Sequence, residues 1–183
     1  MNLPLPLPKL IAQLAEALRV YDQLAFDEEY PHPLGEPCSP KQLAFLEKKF
    51  GMPLPPSYRA FLELHNGWRD LSGDARLLSV EDQDSEWVKE CLADLAEVYS
   101  DLDQENPFES GALPVFLGEE SNQALYIDPH TVRPDGESDF VALDIATEEM
   151  RFPDFTSFLA NKLDLLREMI ADQKKGVSGD DAV

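Results

Sequence analysis

The sequence is poor in the residues that build covalent or metal-stabilised frameworks. Its 183 residues include two cysteines, Cys38 and Cys91, and three histidines, at positions 32, 65 and 130. Two isolated cysteines fit neither a disulfide framework nor a metal knuckle, and they are typical of a reducing compartment. We therefore expect a cytoplasmic protein without a structural metal.

Positive charge is also scarce. Lys and Arg total 15 against 36 Asp and Glu, which gives a formal net charge of −21 and a pI near 4.3. A field of this sign repels nucleic-acid phosphates and anionic lipids, so nucleic acid and membrane surfaces are not expected as partners. The same field attracts basic proteins and accelerates their encounter, although it also serves solubility alone.

Long hydrophobic runs are absent. No stretch approaches the ~20 apolar residues of a membrane-spanning helix. The apolar N-terminal segment is interrupted by prolines and lacks the basic start of a secretory signal. Hydrophobic residues nevertheless make up 43% of the chain, which is enough to bury a core. We predict a soluble, unexported globular protein.

Catalytic motifs are missing as well. The chain contains no H-E-x-x-H, C-x-x-C, G-x-S-x-G or phosphate-binding glycine loop. His65 shares a helix face with apolar residues, which favours a structural role. Asp128-Pro-His130 and Asp135-Gly-Glu137 contain possible metal ligands, but their spacing does not match a calcium loop and fits a turn-rich connection equally well. We predict no enzymatic activity, no cofactor and no metal.

The helical signals are clear. Pro8 can begin an amphipathic helix that continues to about residue 25. The sequence S-P-K-Q from Ser39 is a capping box that begins a second helix, and Gly51 ends it. Pro55-Pro56 begin a third helix, which Asn66-Gly67 should stop. Further helices are predicted from Ser85 to about Leu102 and from Pro153-Asp154 through Ile170.

Short apolar segments predict four strands, at 75–80, 113–117, 123–128 and 140–145, with the middle two joined as a hairpin by GEESN. Helices precede and follow the strands without βαβ alternation, which predicts an α+β fold with a mostly antiparallel sheet flanked by helices. Proline and polar content predict three parts: an N-terminal helical extension and Pro-rich linker over 1–35, one domain over 36–172 and a disordered tail over 173–183.

The segment from residue 81 to residue 109 contains eleven acids and one base, Lys89. On a helix that turns ~100° per residue, five of these acids fall within roughly 80° of arc, opposite the apolar stripe. We call this set the acidic rib: Glu86, Glu90, Asp94, Glu97 and Asp101. Like charges at i, i+4 destabilise a helix, so folding does not require them. Two interpretations remain open: a solvated, solubilising face, and a docking surface for a basic partner.

The segment from Ser39 to Val80 resembles the SUKH superfamily, the Smi/Knr-type domain. It reads SPKQLAFLEKKFGMPLPPSYRAFLELHNGW and is followed by a strand that ends in LLSVED. The residues that carry the resemblance are Gly51, Leu54, Pro55, Tyr58, Phe61, Leu62, Asn66 and Gly67. The later hairpin, the 140–145 strand and the last helix follow the same order, so the resemblance covers about residues 36–172. The extra N-terminal helix, the GEESN turn and the acidic helix depart from the pattern.

The resemblance implies an α+β protein-interaction domain whose motif residues are structural and which has no catalytic residues. Many bacterial members of the superfamily are immunity proteins that neutralise toxins, often nucleases, and others are signalling adaptors. We therefore predict a protein-binding domain, of the immunity type, that neutralises a basic, nuclease-type toxin. The alternative is a regulatory adaptor for an unrelated protein partner, with the N-terminal helix as a docking or dimer element. The sequence does not determine the oligomeric state.

Overall fold

The computed structural model describes residues 5–118 and 123–180. The described residues divide into two compact units. One unit combines the residues up to His32 with those from Thr156 onward, and the other is Pro33–Phe155. The domain limits predicted from the sequence remain a prediction, because this division follows contacts within the chain and does not test independent folding.

The described residues form five α-helices, six β-strands and one short 3₁₀ helix. In chain order these elements are α1 (Leu7–Phe26), α2 (Pro40–Phe50), α3 (Pro56–Leu62), β1 (Trp68–Ser72), β2 (Ala75–Leu77), the 3₁₀ helix (Asp82–Asp84), α4 (Glu86–Asp101), β3 (Leu113–Leu117), β4 (Gln123–Ile127), β5 (Phe140–Asp144), β6 (Thr147–Phe152) and α5 (Phe155–Asp180). The predicted α+β class is confirmed. The predicted extra helix before residue 36 is confirmed as α1.

The six strands form one antiparallel sheet in chain order, β1 to β6. β3 and β4 form the predicted hairpin, in which Leu117 lies opposite Ala124. The connecting GEESN turn, apart from its first residue, lies outside the described residues. At the β1 edge of the sheet, Leu34 pairs with Trp68, and the N–H of Gly35 donates to the carbonyl of Gly67 at 3.1 Å. The segment before α2 therefore covers the free side of β1.

Two strands were missed by sequence reasoning, and both are irregular. In β1 the register shifts between Trp68 and Ser72, and Asp70 has a φ of 53°, so the alternation of buried and exposed residues is broken. In β6 every residue before Phe152 is exposed. The turn before β6 uses Ile145 and Ala146 at positive φ, 45° and 60°, where glycine or asparagine is usual.

The helix signals at α2 are confirmed in detail. The Ser39 hydroxyl accepts a hydrogen bond from the N–H of Gln42, whose side chain accepts one from the N–H of Ser39. Gly51 ends the helix at a φ of 80°. The expected end of α3 was wrong: the helix stops at Leu62, before Asn66-Gly67. Gly67, at a φ of 83°, leads directly into β1 and does not cap α3.

Both faces of the central strands are buried within the Pro33–Phe155 unit. On one face Val141 belongs to a buried cluster with the inward side of α4. Its neighbour Phe140 points to the opposite face, because successive strand residues alternate. There the ring of Phe140 packs with Tyr58 of α3 and with Phe155, and the centroids of Tyr58 and Phe155 lie 5.1 Å apart. Tyr58, Phe140 and Phe155 thus form an aromatic core on this second face.

The other unit consists mainly of α1 and the greater part of α5. Asp22 of α1 is buried and its carboxylate lies 2.6 Å from Nε2 of His32, which attaches the following linker to the helix. Arg167 of α5 donates to the side chain of Gln13 at 3.0 Å. α5 continues to Asp180, so the described part of the predicted disordered tail is helical, whereas residues 181–183 lie outside the described residues.

Candidate functional site

α4 carries the acidic rib on its exposed side. The Ser85 hydroxyl accepts a hydrogen bond from the N–H of Val88 and so begins the helix where the sequence predicted. The opposite side is buried through Val88, Cys91, Leu95 and Tyr99. All five acids of the rib are exposed. The packing of α4 on the sheet therefore presents these carboxylates on a rigid element, while their role in binding stays a prediction.

Local cations neutralise little of the acidic rib. Glu86 forms an ion pair with Lys89 at 2.6 Å, and this hydrogen bond raises the pKa of Lys89. Within the described parts of the chain, no ion pair includes Glu90, Asp94, Glu97 or Asp101. Four carboxylates at a spacing of three or four residues thus face solvent without a basic neighbour, which is the charge pattern that a cationic surface complements.

The acids just before α4 have a different role. Asp82 accepts hydrogen bonds from the N–H and hydroxyl of Ser79, at 2.9 and 2.8 Å. Asp84 pairs with Lys49 of α2 at 2.6 Å. Glu81 accepts hydrogen bonds from the side chains of Gln42 and Asn66. These three acids stabilise the fold, so the acidity of the 81–109 segment is not all available to a partner.

A groove of about 520 Å³ lies where α4 ends, and we call it the α4 groove. One wall is the last turn of the helix, with Tyr99 and Ser100, and the other is the 104–110 turn, with Glu105 and Glu109. The ring of Phe108 packs edge-on against Tyr126 at 5.6 Å, which fixes this turn to the sheet. Sequence reasoning missed the groove, because the residue pattern of 104–110 does not indicate how this turn folds.

The three histidines have separate surroundings. Nδ1 of His65 donates to the carbonyl of Gly35 at 3.1 Å, so this residue ties two backbone segments together. His32 pairs with Asp22, as described above. His130 is exposed, and its backbone N–H donates to the carboxylate of Asp128. The side chains of His65 and His32 thus make structural contacts, whereas the contact of His130 belongs to its backbone.

The alternative metal and thiol sites also have structural explanations. Glu137 accepts hydrogen bonds from the N–H and hydroxyl of Ser57, at 2.7 and 2.8 Å, and so caps the start of α3. Asp135 accepts one from the N–H of Glu137 at 3.0 Å. Among the described residues, no group of three His, Cys, Asp or Glu is arranged to hold a metal ion. Neither Cys38 nor Cys91 forms a disulfide bond, and both are buried. Burial, assisted by Glu81, raises the pKa of the Cys38 thiol to about 11.

The family-motif residues lie at the positions that define the fold. Tyr58, Phe61 and Leu62 are completely buried, and burial raises the pKa of the Tyr58 hydroxyl. Gly67 lies so close to the segment that follows β2 that an added Cβ would come within 2.8 Å of the backbone nitrogen of Ser79. Asn66 bonds through its side chain to the segment after β2. These residues specify packing and turns.

The elements and their order define an α+β domain built on a single antiparallel sheet that is covered on both faces. Residues 37–161 match the SMI1 / KNR4 family (SUKH-1), and the chain belongs to this family. The match begins just before α2 and ends within α5, so α1 and the C-terminal part of α5 lie outside it.

A search of curated proteins found no significant match. Among the helices of the described residues, none combines the length and the apolar character needed to cross a membrane.

Proposed function

We propose that the protein is an immunity-type binding protein that neutralises a basic toxin, of which a nuclease is the leading candidate, by docking it on the acidic rib. The observation that carries this proposal is the set of four exposed carboxylates without ion-pair partners on α4. Family membership supports a protein-binding role, because many bacterial relatives are immunity proteins. A net charge of −21 supports a basic partner, since such a field steers cationic surfaces toward the protein.

The geometry of α4 supports rapid and specific docking. Val88 and Leu95 are at most 5% exposed, so the helix has little freedom to move relative to the sheet. Carboxylates held on a rigid helix need little reordering when cations approach them. A toxin that binds nucleic acid has a cationic surface, and the acidic rib would cover that surface as a substitute for phosphate.

We also infer that the protein acts without catalysis and resides in the cytoplasm. Among the described residues, no group of three His, Cys, Asp or Glu is arranged to hold a metal ion, and the side chains of His32 and His65 make structural contacts. The two cysteines are buried as thiols, which suits a reducing compartment. Binding alone is then the basis of its activity.

The test is a charge reversal of Glu90, Asp94 and Glu97 to Lys, assayed against the product of the gene next to the one for this chain. Wild type should rescue cells from that product, and the variant should fail, with an association rate at low salt reduced about 10-fold or more. The matched control reverses three other exposed acids, Asp144, Glu149 and Glu168, and changes the net charge equally. An unchanged association rate in the rib variant, or an equal loss in the control, would exclude the rib as the docking surface.

A second candidate function is the regulatory adaptor. It is favoured by α1, which lies outside the family match and forms a groove of about 410 Å³ with α5, lined by Ala12, Val20 and Ile170 among others. An apolar groove between two helices can hold a helix of a partner. Replacing Val20 with Lys should abolish adaptor binding but leave toxin rescue intact, which separates the two functions.

A further inference from the structure

The α4 groove has the shape and chemistry of a site for a cationic side chain. We propose that it binds an arginine side chain of the partner that docks on the acidic rib. This inference rests on the proposed function. It specifies which cationic side chain of the partner is bound, which the acidic rib alone does not determine. The groove volume of about 520 Å³ lies within the range of about 300–1,000 Å³ that is typical of ligand clefts.

The walls of the groove are held in place before any ligand arrives. α4 ends at Asp101, and Asp103, at a φ of 54°, turns the chain back. The N–H of Gln104 then donates to the carbonyl of Tyr99 at 3.0 Å, which closes the turn against the helix. On the far wall the side chain of Asn106 accepts a hydrogen bond from the N–H of Phe108 at 3.0 Å. A site built this way requires little ordering on binding.

The electrostatics of the groove favour a cation. Glu105 and Glu109 line it and are exposed, and no lysine or arginine is among its lining residues. Within the described residues, neither glutamate takes part in an ion pair. The C-terminal end of α4 adds the negative pole of the helix dipole to the same space. Each of these contributions stabilises positive charge.

The groove also contains hydrogen-bonding groups that the fold leaves unused. Tyr99 lines it although the residue is only 5% exposed, and no hydrogen bond among the described residues uses its hydroxyl. The side chains of Ser100, Gln104 and Ser110 line it as well, and in the described structure they too make no hydrogen bonds. A guanidinium group has five N–H donors in a planar fork and can satisfy several such acceptors at once, whereas an ammonium group has three.

The position of the groove connects it to the acidic rib. Glu97 and Asp101 belong to the last turns of the helix whose end forms one wall. A partner that lays a basic surface along the rib therefore reaches the groove at the C-terminal end of α4. The rib would supply attraction over a wide area, and the groove would select one side chain.

The experiment is a nuclear magnetic resonance titration of the full chain with N-acetyl-L-arginine amide. Its neutral counterpart is N-acetyl-L-citrulline amide, which has nearly the same shape. We expect saturable shifts of backbone amides in residues 99–110 with the arginine probe and none with citrulline. The double variant Glu105→Gln/Glu109→Gln should weaken binding about ten-fold or more, whereas Asp144→Asn/Glu149→Gln, at exposed acids outside the groove and the rib, should leave the shifts at 99–110 intact.

Several results would overturn the inference. These are equal shifts with citrulline, no saturable shifts, shifts centred on residues 86–97, or undiminished binding in the Glu105→Gln/Glu109→Gln variant. Failure of the groove and failure of the proposed function are separable. If charge reversal of the rib abolishes toxin rescue but the groove does not bind arginine, the inference about the groove is wrong and the proposed function stands. If the groove binds arginine but rib reversal has no effect on rescue, the proposed function is wrong.

Discussion

The side-chain amide of Asn66 donates a 2.7 Å hydrogen bond to the carboxylate of Glu81, fifteen residues later in the chain. Its carbonyl oxygen accepts a second bond, of 2.8 Å, from the N–H of Val80. The other oxygen of Glu81 accepts from the side chain of Gln42, at the start of α2. One asparagine thus joins the segment after α3 to the segment after β2, and Glu81 extends the connection to α2.

Replacing Asn66 with Asp should therefore destabilise the protein by about 1–3 kcal/mol. The variant keeps an acceptor for Val80 but loses the donor to Glu81 and places two carboxylates in contact. Chemical denaturation measures the change. The matched control is Asn106→Asp, because Asn106 acts as an acceptor for Phe108 and an aspartate preserves that bond. Equal effects of the two substitutions would contradict the role assigned to Asn66.

The same network makes stability depend on pH. Burial opposes ionisation of Glu81, but hydrogen bonds from Gln42, its own backbone, Asn66 and Ser79 outweigh it, so the pKa of Glu81 is lowered. A group whose pKa is lower in the folded state contributes stability above its unfolded pKa and loses it as the pH falls through its folded pKa.

We therefore compare wild type with Glu81→Gln by thermal unfolding from pH 7 to pH 3. The stability advantage of wild type should be largest at pH 7 and should shrink as the solution becomes acidic. An advantage that is constant over this range, or that grows on acidification, would show that ionised Glu81 does not stabilise the fold.

Gly67 is required both for its backbone conformation and for its close contact with the end of β2 and the residues that follow it. Its φ is 83°, and an added Cβ would lie 2.8 Å from the nitrogen of Ser79. Gly111 has a similar φ of 94° but open space around it. Gly111→Ala should lower the free energy of unfolding by roughly 1–2 kcal/mol, because alanine is strained in the left-handed conformation. Gly67→Ala should lower it clearly more, because the added Cβ also meets the backbone. Denaturation midpoints that match for the two variants would show that the contact with Ser79 adds nothing.

The N-terminal boundary can be tested by two truncations. Removing residues 1–32 retains two backbone bonds of 3.1 Å, from Gly35 to Gly67 and from Arg69 to Pro33, and removing residues 1–35 deletes both. The shorter truncation should leave a folded Pro33–Phe155 unit that is about 1–3 kcal/mol more stable than the longer one. Circular dichroism during urea unfolding measures this difference. Loss of the folded circular dichroism spectrum in both truncated proteins would refute the domain limits predicted from the sequence.

The parts of the fold that sequence reasoning predicted well are those with local signals. The capping box at Ser39, the glycine at 51 and the apolar stripe of α4 depend on residues within one element. β6 could not be found, because an exposed edge strand has no hydrophobic alternation and its turn at Ile145 lacks the usual residues. The exposure of the acidic rib followed from helical period alone.

The α4 groove could not be predicted, because it depends on how the 104–110 turn folds back on the helix. The same limit applies to Asn66 and Glu137. The sequence showed Asn66 as a helix stop and Glu137 as a turn residue. Their actual contacts, to Glu81 and to Ser57, join segments that are distant in the chain. Such contacts become visible only when the tertiary structure is known.

The last prediction concerns Glu137 and distinguishes a structural capping role of its carboxylate from a metal-binding role. Its carboxylate accepts both the N–H and the hydroxyl of Ser57, and that hydroxyl also accepts from the N–H of Phe155 at 3.0 Å. Glu137→Ala removes the two bonds to Ser57 and loosens a junction of three segments, so it should cost about 1–3 kcal/mol. Asp135→Ala is the control, since that side chain is 67% exposed and its loss should cost less than about 1 kcal/mol.

Thermal unfolding of both variants with and without added Ca²⁺ distinguishes the two roles. Under the capping interpretation the effects are unequal and the ion changes neither melting temperature, because the carboxylate of Glu137 is already occupied by Ser57. Under a metal interpretation both carboxylates would be ligands, so the two variants would lose stability to a similar extent and wild type would gain it as the ion is added. A rise in the wild-type melting temperature with Ca²⁺ that both substitutions abolish would therefore show that Glu137 is a metal ligand and not a helix cap.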